Sequence, residues 1–390
     1  MLESVAPQRR HPESTAYSPS AMCRTLLMVG TDARGEGGIS SVVSGYLAGG
    51  LFERFPGTYV ATHRNGSRWT KVTAAVVGLA RVAIQLRSLE APLVHVQTAS
   101  RASFWRKAIV CLMARMAGRP YIVHLHGGEF VQFYQNESGW LVRRYVRHVL
   151  SHAALVIALS PQVQRTLLEI APDAKVEILE NAVKVPDIDR IESPATRPPT
   201  VVFLGALSHS KGVFDLLEAF ARVAGDFAEA RLVFGGRGAV EVLRQRAQQL
   251  GIASRVSFPG WISAAAKDEL LASAAVLVLA SYAEGLPMAV LEAMSWGTPV
   301  IASRVGAIPQ VIEDDVNGLL VNPGDIESLT AALGRVMGDP ALRDRLARSA
   351  RATVESDYAA DAMLARLGRI YRRFGLVPRQ TRATHPGVAP

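Results

Sequence analysis

Cysteine is nearly absent: of 390 residues only Cys23 and Cys111 are thiols, far apart and in neither a CxxC nor a zinc-type spacing. A disulfide framework is therefore not expected, and a reducing compartment is. No window approaches the ~20 consecutive apolar residues of a membrane span. Residues 1–22 are polar and rich in Pro and Ser without the apolar core of a signal peptide. They and residues 375–390 read as tails too polar to pack, and the chain is expected in the cytoplasm. G-x-G-x-x-G is missing, which leaves a dinucleotide fingerprint unsupported. Acid is scarce in one half only. Residues 1–185 carry 21 Lys and Arg against 12 Asp and Glu, whereas residues 186–390 carry 22 of each, so the whole net charge of +9 lies in the first half.

What is present suits two α/β domains. Apolar residues make up 49% of the chain, enough for two cores at this length. Short apolar runs alternate with helical periodicity, the pattern of strand, helix, strand units and parallel sheets. The first domain is expected over residues 23–185. It opens with the strand TLLMVG and a Gly-rich turn holding Gly37 and Gly38, a place where backbone comes close to a ligand. Residues 71–90 and 102–117 read as helices, and YIVHLHG as a strand with His124 and His126 on one face. His126 stands at the strand's C-terminal end, where open α/β sheets hold ligands; His124 reads as structural, and no third ligand is spaced for zinc.

Residues 186–199, rich in Pro and charge, read as a linker. Their Asp187-Ile-Asp189 lies between prolines and is not a metal motif at a strand end. The second domain is expected over residues 200–357. There, strand VVFLG, a polar loop and Lys211-Gly212 precede an amphipathic helix, and a lysine so placed can meet phosphate as a point charge. Residues 358–374 form a basic amphipathic helix.

The stretch SYAEGLPMAVLEAMSWGTPVIAS, residues 281–303, is the most informative. It reads as strand end, loop, helix from about 286 to 296, then strand, with Pro287 in the first helical turn and Gly297 as C-terminal cap. Glu284 and Glu292 bracket the helix start. Between them the amides of Leu286 to Val290 lie at the positive end of the helix dipole, a site suited to a diphosphate. Solvated acids near a helix N-terminus are the bland alternative.

This E-x7-E string resembles the donor site of the retaining family 4 glycosyltransferases, also called glycosyl transferases group 1, whose fold is GT-B: two Rossmann-like domains with parallel sheets facing across a cleft. The resemblance spans residues 24–374 and is strongest over 200–325. It implies transfer of a sugar from a nucleotide sugar, UDP- or GDP-linked, with retention and without a metal or other cofactor. It implies catalytic roles for Glu284, His126 and Lys211. Donor contacts would come from Gly38, Lys211, Arg237, Ile262, Glu284, Gly285, Leu286, Pro287, Met288, Ala289, Val290 and Glu292, the last on the ribose. Gly37 and His126 would face the acceptor, a saccharide or lipid-linked saccharide of exopolysaccharide or lipopolysaccharide assembly. The family's arginine in the loop before Lys211 is Ala206 here, with Arg237 or Arg304 as substitutes. The helix 358–374 would return to the first domain. Two other readings stay open: a nucleotide-sugar epimerase on the same plan, and a silent sugar-nucleotide-binding protein.

The basic half suggests a further partner. Arg101, Arg106, Lys107, Arg115, Arg119, Arg143, Arg144 and Arg147 lie on helical segments with Phe104, Trp105, Trp140 and Tyr145 interleaved. Such a face suits the inner surface of an anionic membrane or a polyanionic acceptor; ordinary solvated helices are the alternative. No nucleic-acid motif accompanies the charge, so nucleic acid is not expected.

Overall fold

The computed structural model describes residues 22–127, 129–187 and 193–379. Most of both tails, Gly128, and Ile188 and Asp189 of the Asp-Ile-Asp triplet lie outside the described residues. The first half runs β1 (Thr25–Gly30), α1 (Gly38–Ala48), α2 (Leu51–Arg54), β2 (Gly57–Ala61), α3 (Arg68–Ser88), β3 (Pro92–Thr98), α4 (Arg101–Met116), β4 (Tyr121–Leu125), α5 (Phe130–Asn136), α6 (Trp140–Ser151), β5 (Leu155–Ala158), α7 (Pro161–Ile170) and β6 (Val176–Ile178). The second runs β7 (Thr200–Leu204), α8 (Val213–Val223), β8 (Arg231–Gly235), α9 (Val240–Gln249), β9 (Val256–Gly260), α10 (Ala264–Ser273), β10 (Val276–Leu279), α11 (Met288–Ser295), β11 (Val300–Ser303), α12 (Ile308–Val311), β12 (Leu319–Val321), α13 (Ile326–Gly338), α14 (Pro340–Asp357) and α15 (Ala360–Arg373).

Each half closes one six-stranded sheet, in the orders β2-β1-β3-β4-β5-β6 and β12-β11-β10-β7-β8-β9, with the named pairings parallel. Sheets buried on both faces need strands that are apolar throughout, and LLMV in β1, VVFL in β7 and VLVL in β10 supply them, all buried. Both orders reverse once, at β1/β3 and at β7/β10. The crevice beyond the C-terminal ends of such a pair is where doubly wound sheets bind ligands.

The first sheet is finished by the end of the chain. On α15, Met363, Leu364, Leu367, Ile370 and Tyr371 are buried against Leu26, Met28, Ile122 and Ile157. Each such burial is worth about 1.5–3 kcal/mol, so the first domain depends on this last helix. Arg373 grips Glu177 through two contacts of 2.7 and 2.5 Å, and Val183 pairs with the Tyr358–Ala360 backbone where the chain crosses back.

Two expectations need correction. The helix after Glu284 starts at Met288, two residues late, because Pro287 is extended (φ −73°, ψ 126°) and serves as N-cap. Lys107 and Phe104 are not part of the basic outer face. Both are buried on the inner side of α4.

Candidate functional site at the two switch points

In the second sheet the switch point is flanked by the loops after β7 and β10, and each delivers one charged side chain. Lys211 Nζ donates to Glu284 Oε1 at 2.7 Å, and Ser281 Oγ donates to the same oxygen at 2.7 Å. The Glu284 side chain is 9% exposed and that of Lys211 26%. Two donors therefore fix one carboxylate oxygen, while Oε2 has no protein partner among the described residues. Gly212 makes the approach work. It sits at φ +64°, and a Cβ there would stand 1.9 Å from the Ala280 carbonyl oxygen. Gly212→Ala should therefore push the Lys211 loop off β10 and lower the thermal midpoint by several degrees, measurable by differential scanning calorimetry.

Beyond Glu284 the chain enters α11. Val290 N donates to Pro287 O at 3.2 Å, and the Leu286 carbonyl accepts from Asn181 Nδ2 at 2.8 Å. The expected run of open amides thus loses Val290, and Pro287 has no N–H; the Leu286, Met288 and Ala289 amides lack protein acceptors among the described residues. Leu286 and Val290 are buried, the Val290 amide is closed by Pro287 O, and Gly285 O is held by Ala307 N, so Val290 has nothing to offer a ligand and Leu286 only its amide. One turn into the helix, Glu292 takes Lys267 Nζ of α10 at 2.5 Å. Ile262 packs under the β8 end, its Cδ1 near Gly235, and Trp261 beside it is exposed.

The first domain faces this from its own switch point. Gly37, at φ +115°, and Gly38 begin α1 with open space where a Cβ would be. Met288 touches the first domain's core. Arg237 spans the gap to Glu36 at 2.9 Å, so in this structure it neutralises a carboxylate of the Gly-rich loop. Arg304 pairs with Asp314 of its own domain, and Ala206 is exposed.

His126 follows β4. Its Nε2 meets Gln97 Oε1 at 2.5 Å; Gln97 Nε2 lies 3.2 Å from His95 Nε2, and His95 Nδ1 2.6 Å from the Tyr371 hydroxyl. Because a glutamine oxygen only accepts, Nε2 of His126 carries the proton and Nδ1 a lone pair. Burial pushes the His126 pKa down to about 4 against a smaller upward pull from Asn181, so its ring is neutral near pH 7. His124, buried, stacks on both: 5.4 Å from His95 and 4.1 Å from His126 between ring centroids.

Sequence reasoning missed Glu36, Gln97, His95, Tyr371 and Lys267. All five meet their partners across distant segments, and no local motif marks them.

Among known proteins, the family model described as Glycosyl transferases group 1 matches residues 185–353, and the Glycosyl transferase 4-like domain matches residues 45–182. The alpha-D-kanosaminyltransferase of Streptomyces kanamyceticus is 25% identical over 283 residues, 68% of this chain and 73% of that protein. The lipopolysaccharide core biosynthesis glycosyltransferase LpsE of Rhizobium meliloti is 28% identical over 216 residues, 53% of this chain and 61% of that one. The structure of Anabaena HepE in complex with UDP and glucose superimposes with a TM-score of 0.73 at 17% identity, covering 90% of this chain and 100% of that one.

Proposed function

This chain belongs to the glycosyl transferases group 1 family and has the GT-B fold, and from that premise we propose that it is a retaining, metal-independent hexosyltransferase. Its donor is a UDP- or GDP-sugar. Its acceptor is a saccharide or lipid-linked saccharide in exopolysaccharide or lipopolysaccharide assembly. The observation that carries this reading is the Lys211–Glu284 pair beside the open Met288 and Ala289 amides. A departing nucleoside diphosphate develops negative charge, and a fixed ammonium with helix-start amides meets it without reorganising. Donor phosphate would draw Lys211 from Glu284, freeing that carboxylate for the sugar hydroxyls and for the positive charge that grows at the anomeric carbon. Glu292 would hold the ribose hydroxyls. His126, neutral, would lie against the sugar or the acceptor. The HepE complex with UDP and glucose and the role of LpsE in lipopolysaccharide core biosynthesis support the donor class and the pathway.

The test is a calorimetric screen of UDP-, GDP- and ADP-sugars followed by hydrolysis assays on each binder. One binder hydrolysed with the α-configuration kept, in the presence of EDTA, is the expected result. An inverted product, an epimerised donor, or no hydrolysis would each defeat the reading.

Association with an anionic membrane rests on α3, α4 and α6. Among the described residues no helix is long and apolar enough to cross a membrane. These three, with α4 packed against both α3 and α6, expose Trp69, Ile84, Trp105, Met116, Trp140 and Leu141. Exposed Arg81, Arg87, Arg115 and Arg144 stand among them. Beside Trp140 a cavity of about 560 Å³ is framed by Tyr134, Arg143, Arg144 and Arg147. Apolar anchors ringed by arginine fit a leaflet of anionic lipid. Co-sedimentation should show binding to phosphatidylglycerol vesicles, reduced at least fivefold in Trp69→Ser/Trp140→Ser; equal binding to neutral vesicles would contradict it.

A further inference from the structure

Beyond the C-terminal ends of β2 and β3 lies a group of basic side chains that the donor chemistry does not use. His63 follows β2, and Arg106 and Lys107 lie in the second turn of α4, which follows β3. All three belong to the edge of the sheet that bears the Gly-rich loop and His126. Helical side chains lean toward the helix N-terminus, so Lys107 reaches back toward the ends of the strands. Its side chain is 1% exposed, yet Nζ has no hydrogen-bond partner among the described residues; nor do Arg106 Nε and His63 Nδ1, which are also buried.

Buried cations are ordinarily paired. Here the charges acting on His63 are Arg106, Lys107 and Lys71, and the one acting on Lys107 is Arg106. No carboxylate figures in either set. Burial first and Arg106 second hold Lys107 down to about 7, so the site would readily take up a proton when an anion arrives. The start of α4 adds its own positive end. It is held in place by Arg101, which adopts φ +52° and binds Glu137 at 2.7 Å and also Glu129. A non-glycine residue in that conformation marks a backbone kept where the surroundings need it.

We propose that His63, Arg106 and Lys107 form a seat for a phosphoryl or diphosphoryl group carried by the acceptor. The inference rests on the glycosyl-transfer reading only in calling the ligand an acceptor. Across the cleft the donor diphosphate has its own seat at Lys211 and α11, so the chain would hold two anions, one on each sheet.

The test titrates inorganic pyrophosphate into the full chain by calorimetry and 31P NMR, comparing wild type with Lys107→Met, Arg106→Gln and Lys211→Ala. Methionine fills the space of the lysine stem without charge, and circular dichroism should show an unchanged fold and no fall in Tm. Two sites are expected in wild type. Lys107→Met should weaken one at least tenfold and Lys211→Ala the other. A parallel arm uses phosphatidylcholine vesicles with and without phosphatidic acid: Lys107-dependent vesicle binding identifies a lipid-borne phosphate, and Lys107-dependent binding of pyrophosphate alone identifies a soluble one. Pyrophosphate and vesicle binding both unaffected by Lys107→Met would overturn the proposal. Lys107-dependent binding in a protein that hydrolyses no nucleotide sugar would count against glycosyl transfer and leave the anion seat standing.

Discussion

Glu284→Gln should lower donor turnover at least about a hundredfold, equivalent to about 2.7 kcal/mol of transition-state stabilisation, with the fold intact. The substitution keeps the shape and one acceptor oxygen, so Ser281 and Lys211 still have a partner at the position they now reach at 2.7 Å. It removes the negative charge. In a crevice where Glu284 is 9% exposed, that charge acts through a low dielectric on whatever positive charge forms at the sugar. On the proposed reading, ground-state binding depends more on Lys211 and the α11 amides than on this carboxylate. The loss should therefore fall on kcat with KM for the donor changed less than about threefold. Glu292→Gln should do the reverse, raising KM with kcat nearly kept, because a ribose contact is equal in ground and transition states. Steady-state hydrolysis of the best nucleotide sugar measures both. Unchanged turnover in Glu284→Gln would remove this residue from the chemistry.

The contrast between these two acids shows what could be read from the sequence. Both lie in one continuous string, and helix periodicity places them on either side of a single helix start. The parallel sheets were legible for a similar reason, since LLMV, VVFL and VLVL allow little but strands buried on both faces. Where the reading slipped, a local rule had two outcomes. Proline suits both N1 and an extended N-cap, and the structure takes the second, which closes the Val290 amide with Pro287 O. Lys107 shares its segment with exposed Trp105 and Ile109, so composition alone assigns it to the surface; only the packing of α4 on β3 turns it inward. The pairing of Arg237 with Glu36, 201 positions earlier, and the Tyr371–His95–Gln97–His126 chain depend on two sheets and a returning helix meeting in space. No window of sequence contains them.

That chain leads to an acid limit on stability. Burial is the main cause holding His95 at about 3 and His126 at about 4, and it holds His124 well below the usual histidine range, with the neighbouring rings adding to the effect on His95 and His124. In the unfolded chain all three return to about 6.5. Between about pH 6.5 and 4 the unfolded chain therefore binds protons that the folded one refuses, and stability rises with pH across that window. Stability from these groups is complete above pH 6.5 and is lost as pH falls. At pH 5 His95 and His126 each cost about 2 kcal/mol relative to pH 8, and His124 adds in the same direction, together a large part of a typical domain's 5–15 kcal/mol. The transition that reports the first domain should drop by roughly 10–20 °C between pH 7.5 and 5. His124 has neither ring nitrogen hydrogen-bonded among the described residues, so His124→Leu should flatten that slope and raise Tm at pH 5 more than at pH 7.5. Differential scanning calorimetry across the range decides it: an equal slope in wild type and His124→Leu would mean that the stacked rings do not set the acid limit.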